Sequence, residues 1–147
     1  MSAIATVLAR ALLIAWCVLL TTTDLRTRRL PNLLTGTGAA AVLGYAAVTG
    51  RFMPALLGAL LLAGPYLVVH LVVPSACGAG DVKLAVGLGA AAAQGGAAAW
   101  VWSALGAPVV TALFGGARSI LRSPGGGVVP HGPAMCACTL AALGWVA

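Results

Sequence analysis

The sequence predicts an all-α, polytopic membrane protein of about six transmembrane helices, forming a single membrane-embedded domain over residues 1–147, and three observations carry that prediction. Hydrophobic residues make up 61% of the chain and charged residues 7%, with a mean hydropathy of +1.07, against roughly 25% charge in soluble domains. The apolar residues lie in long runs, as required of helices whose backbone groups must be satisfied inside lipid. Short breaks rich in Arg, Pro and Gly separate the runs, so no stretch is left for a sizeable soluble domain.

The first run spans about Ala3 to Thr23, with Arg10 snorkelling toward the near interface and Trp16 inside the span. It resembles a signal peptide in length, but Asp24 and an Arg-rich stretch follow where a small-residue cleavage site belongs, so it is expected to be retained. The break Leu25-Arg26-Thr27-Arg28-Arg29-Leu30-Pro31-Asn32 carries three arginines, and Pro31 stops a helix continuing from the first span. By the positive-inside rule this loop is cytoplasmic. The second span runs from about Leu33 to Thr49, and the third starts after Pro54 and ends at Val73, before Pro74. Two crossings return the chain to the side it left, so Asp81 is expected on the membrane face that holds Asp24.

From Val82 to Gly116 the chain is apolar for 35 residues, about 50 Å as one helix and too long for a hydrocarbon core of about 30 Å. Gln94-Gly95-Gly96 divides it into spans at about 82–93 and 97–116. A second basic loop, Arg118 to Gly127, leads to a sixth span from about Pro133 to Val146. This arrangement puts Arg26, Arg28, Arg29, Lys83, Arg118 and Arg122 on the cytoplasmic side and leaves Arg10 and Arg51 near the other. The fourth and sixth spans are short, which calls for tilting, local thinning or partial re-entry.

The net charge of +6 falls on loops flanking apolar runs, where it sets topology and meets lipid headgroups. The lipid bilayer is therefore the expected partner, and no nucleic acid is. Cys17, Cys77, Cys136 and Cys138 form no CxxC or other zinc spacing and read as small packing residues. His70 and His131 read as structural, and Trp100, Trp102 and Trp145 as interfacial belts. No metal site and no cofactor is expected, and nothing in the sequence fixes an oligomeric state.

The chemistry rests on the only two acidic residues, Asp24 and Asp81. A carboxylate in a membrane segment costs up to about 3 kcal/mol at mid-helix and by default marks function. Two carboxyls within hydrogen-bond reach do not easily both ionise. They share a proton, the charged member serves as base to a water, and its partner polarises a carbonyl. Asp81 is delivered by the turn Cys77-Gly78-Ala79-Gly80-Asp81-Val82-Lys83, whose Gly78 and Gly80 permit positive φ and close approach of a substrate backbone. The blander alternatives are an N-cap for Asp81 and an i,i+4 pairing of Asp24 with Arg28. Lys83 is expected to meet headgroups, with a smaller claim on the site.

At these residues the chain resembles the type IV prepilin peptidases, membrane aspartic proteases of the GxGD class. Three stretches match in order: Asp24 to Asn32, Gly78-Ala79-Gly80-Asp81-Val82-Lys83, and Val129-Pro130-His131-Gly132-Pro133, the last with His131 where the family usually has an aromatic or apolar residue. The resemblance implies a six-helix protease of the inner (cytoplasmic) membrane that cuts the basic leader of a pilin-like precursor at the cytoplasmic face, after a glycine. It implies Asp24 and Asp81 as the catalytic pair, with Gly78, Gly80, Lys83, Pro31 and Asn32 along the substrate path. Without the CxxC-bearing domain of larger members, the chain looks like the small form, and N-methylation does not follow. Rival readings are a presenilin- or signal-peptide-peptidase-like intramembrane protease, a proton-coupled transporter with a carboxylate relay, and a structural membrane subunit.

Overall fold

The computed structural model describes residues 3–120 and 131–145. Within them the chain forms six helices: α1 (Ala3–Thr27), α2 (Asn32–Val48), α3 (Phe52–Val72), α4 (Ala79–Gln94), α5 (Ala97–Ile120) and α6 (His131–Trp145). The breaks fall at the residues that forbid continuation. Gly50 (φ 71°) and Gly96 (φ 94°) make the left-handed turns between α2 and α3 and between α4 and α5, a conformation that costs glycine nothing. Pro31 caps α2 from an extended conformation. Pro133 falls in the first turn of α6 rather than opening it, a position where a missing N–H is harmless. Helix α5 continues a turn beyond the expected end at Gly116. The rest of the basic loop from Arg118, together with Val129 and Pro130, lies outside the described residues.

The six helices are present, but six crossings are not supported by helix length. Among the described residues, only α1, α3 and α5 are long and apolar enough to cross a membrane by length and composition. Helices α2, α4 and α6 have 17, 16 and 15 residues, short of the ~20 that a bilayer core requires.

Helix α4 explains its own shortness. It sits at the centre, packed most extensively on α3 and also on α2, α5 and α6, while α5 pairs with α6 and α1 lies against α6 and α2. Leu84, Ala85 and the run Gly87–Ala92 are buried, so most of the helix is wrapped by protein. Small residues permit this. A Cβ on Gly58 would stand 2.6 Å from the Gly89 carbonyl oxygen, and one on Gly89 would collide with the Gly58 backbone, so the α3–α4 crossing exists only with glycine on both sides.

Large apolar side chains point the other way: Leu12, Leu57, Leu71, Leu113 and Phe114 are exposed. Large groups outside and small groups inside is the distribution for a lipid surround, where tight backbone approach replaces hydrophobic collapse. The core proper is Cys17, Leu20, Leu62, Leu84, Ala85, Leu88, Ala107, Met135 and Cys136. Single polar bonds cross between helices within it. Trp16 Nε1 donates to the Leu34 carbonyl at 2.8 Å, Trp100 Nε1 to the Gly58 carbonyl at 3.0 Å, and Ser103 and Thr139 share a buried 2.6 Å bond. Trp100 is thus an inward-facing strut, not the interfacial anchor expected, whereas Trp102 does face outward.

At one end of the bundle Arg51 donates to the Gln94 carbonyl at 2.8 Å, tying two turns together. The opposite end gathers the last turn of α1 and the first turns of α2, α4 and α6.

Candidate active site

Asp24 does not follow the first span; it stands inside α1, one turn before the end, and is 7% exposed. The helix stops because Arg28 takes φ 51° after closing the last bond, its N–H donating to the Asp24 carbonyl at 2.8 Å. The Thr27 hydroxyl then donates to the carbonyls of Thr23 (2.8 Å) and Arg29 (3.0 Å), fixing the reversal. The chain leaves the helical path at the very residue that an i,i+4 pair with Asp24 would use. Among the described residues Asp24 Oδ2 is buried without a hydrogen-bond partner. The Gly132 amide lies near the carboxyl without closing a bond of good geometry to that oxygen. A Cβ at position 132 would sit 2.8 Å from it.

Asp81 occupies the third position of α4, so it is not the N-cap. Gly78 is, with φ −75°, and donates its N–H to Asp81 Oδ2 at 3.1 Å. Having no side chain, Gly78 returns nothing, and this is half of a capping box. The positive φ expected of Gly78 and Gly80 is absent: among described glycines only Gly50 and Gly96 have it. Gly80 is helical, and its lack of a side chain admits Leu30, whose Cβ would lie 3.1 Å from an added Cβ. The glycines of this turn therefore seat the 28–32 loop on α4. Lys83 Nζ donates to Asn32 Oδ1 at 2.7 Å, so Lys83 ties the first turns of α4 and α2 together where a headgroup contact was expected. Pro31 and Gly78 are exposed beside them.

The Asp81 carboxyl is near enough to act electrostatically on Asp24, and both act on His131. This ring bridges α3 and α5. Its Nε2 is 2.7 Å from the Tyr66 hydroxyl and its Nδ1 2.7 Å from Thr111 Oγ1. Asp81 stands outside the three long spans. Burial pushes its carboxyl above the ordinary carboxylate range, opposed by the Gly78 N–H and by His131. His70 Nδ1 lies 2.8 Å from the Cys77 carbonyl. The cysteines are free thiols, and among the described residues no group of three His, Cys, Asp or Glu could hold a metal.

Helices α3 and α5 flank α4 with a gap between them, and a cavity of about 540 Å³ fills it. Leu62, Pro65, Trp100 and Ala104 make its apolar walls, and it runs to Tyr66 and His131. Tyr66, Thr111 and Gly132 were missed from sequence. A lone tyrosine inside the apolar run of the third span is weak as a signal, whereas Gly132 lay within the third motif.

A family model described as the type IV leader peptidase family matches residues 11–120. The match spans α1 to α5 and both carboxylates. No curated protein and no solved structure matches the chain.

Proposed function

This chain belongs to the type IV leader peptidase family, and we propose that it cuts the basic leader from pilin-like precursors at the cytoplasmic membrane face, using Asp24 and Asp81 as an aspartic pair. The observation that carries the reading is the convergence at one end of the bundle of the only two carboxylates in the chain, one of them with a buried, unpartnered oxygen.

The proton belongs to the pair. The Gly78 amide stabilises charge on Asp81 and favours it as the base. Asp81 takes a proton from a water, the water oxygen attacks the scissile carbonyl carbon, and the proton on Asp24 moves toward the carbonyl oxygen. The tetrahedral intermediate then collapses: the C–N bond breaks, the new amine leaves with the proton held by Asp81, and the C=O bond re-forms as a hydroxyl proton of the intermediate returns to Asp24, restoring the singly protonated pair. The groove between α3 and α5 suits the apolar segment that follows the cut, since its apolar walls run to Tyr66 and His131, the ring on which both carboxylates act. Asn32 and Lys83 hold the 28–32 loop against α4.

The test is cleavage of a co-expressed precursor with a basic leader, a glycine and an apolar helix, read as a mass shift. Wild type is expected to cut after the glycine, in membranes and in detergent alike. Loss of activity on collapse of the proton gradient would instead favour a transporter.

A further inference from the structure

His131 is a half-buried titratable ring that the water-activating step does not use, yet both carboxylates act on it. Its two hydrogen-bond partners are both hydroxyls, Tyr66 from α3 and Thr111 from α5, each at 2.7 Å. A hydroxyl rotates to donate or to accept. A neutral imidazole, with one donor and one acceptor, is therefore satisfied in either tautomer, and an imidazolium with two donors is equally satisfied. The ring can gain or lose a proton without breaking the bridge. Had either partner been a backbone carbonyl, the neutral ring would be confined to the one tautomer that donates to it.

The groups facing the ring come from each surrounding element: Asp24 on α1, Tyr66 on α3, Asp81 on α4 and Thr111 on α5. Cys77, before α4, and Cys138, on α6, face Tyr66 in turn. The charge of that set at working pH lies on the singly ionised carboxyl pair alone.

We propose that His131 is a positioning residue for the Asp24–Asp81 pair: fixed between Tyr66 and Thr111, it takes up a proton in place as pH falls and so holds the pair in its singly protonated state into the acid range. The inference rests on the peptidase reading above. Burial lowers the proton affinity of the ring and the two carboxylates raise it, with burial the larger, so the ring is neutral at neutral pH and charges only in acid. A positive charge beside a carboxylate favours its ionised form. Removing His131 therefore moves the acid limb of activity to higher pH and leaves the alkaline limb, where the ring is already neutral, in place.

Two measurements test this. The first is the pH profile of precursor cleavage in detergent for wild type, His131→Gln and His131→Phe. Glutamine keeps a donor and an acceptor without the charge, and phenylalanine keeps neither. In both variants the acid limb is expected to move up by about half a pH unit or more, the change lying in kcat rather than KM, with the glutamine variant closer to wild type at neutral pH. An acid limb of His131→Gln that superimposes on wild type overturns the proposal. The second is an NMR titration of the His131 imidazole in wild type and Asp81→Asn, which needs no cleavage and no His131 variant beyond assignment. Loss of the Asp81 charge is expected to lower the pH at which the ring gains its proton, and an unchanged titration overturns the coupling. A wild type that cuts nothing while the titration still responds to Asp81→Asn sinks the peptidase reading alone.

Discussion

The middle of the bundle and its dyad end are held together by different means. In the middle, helices meet mainly through backbone and small side chains, Gly58 against Gly89 and alanines along α4, with only single polar bonds such as Trp100 to the Gly58 carbonyl and Ser103 to Thr139 between them. At the dyad end, polar side chains reach between elements: Lys83 to Asn32, Tyr66 to His131 to Thr111, His70 to the Cys77 carbonyl. The contrast teaches that packing here fixes the frame and hydrogen bonds fix the chemistry. Crowding the middle should cost fold and activity together, whereas changing the end should cost activity with the fold intact.

The sharpest separation is expected from Asp24→Asn and Asp81→Asn. Each should lower cleavage by ~10²–10⁴-fold with unchanged helical content and detergent stability, measured by circular dichroism and thermal unfolding. Gly132→Val comes next. A side chain at 132 displaces the Asp24 carboxyl, and a misplacement on the order of 1 Å costs about 10²-fold in rate. Cleavage kinetics at matched protein levels check it, and a rate near wild type would show that the carboxyl has room to move. Gly89→Ala attacks the other region. Its Cβ meets the Gly58 backbone, so a loss of about 1–3 kcal/mol in unfolding free energy is expected, with activity falling in step. A stable but inactive Gly89→Ala would break the comparison. The smallest effect belongs to Lys83→Met, which leaves Asn32 without its partner. A several-fold rise in KM is expected, with kcat nearly kept, as steady-state kinetics would show.

The helices were legible because lipid forces backbone satisfaction within each segment, so the apolar runs and their Gly and Pro breaks mark them. Six crossings did not follow, because hydropathy does not distinguish a helix that faces lipid from one wrapped by protein, and α4 is wrapped. The two carboxylates stood out because the chain has no others. Their surroundings were less visible. Gly78 and Gly80 signal a turn without saying whether the absent side chains make room for a substrate or for Leu30, and the packing answers Leu30 at Gly80. His131 looked like an isolated polar residue, since its partners Tyr66 and Thr111 lie 65 and 20 positions away. Contacts of that range leave no local pattern.

The most direct test of a paired mechanism compares Asp24→Asn, Asp81→Asn and the double variant in one precursor-cleavage assay, with residual rates measured by mass spectrometry. If the carboxyls act as one unit, either single change removes what both together remove, and the three residual rates coincide. Single variants that retain a substantial rate, with losses that multiply in the double variant, would contradict a shared proton and a joint catalytic step.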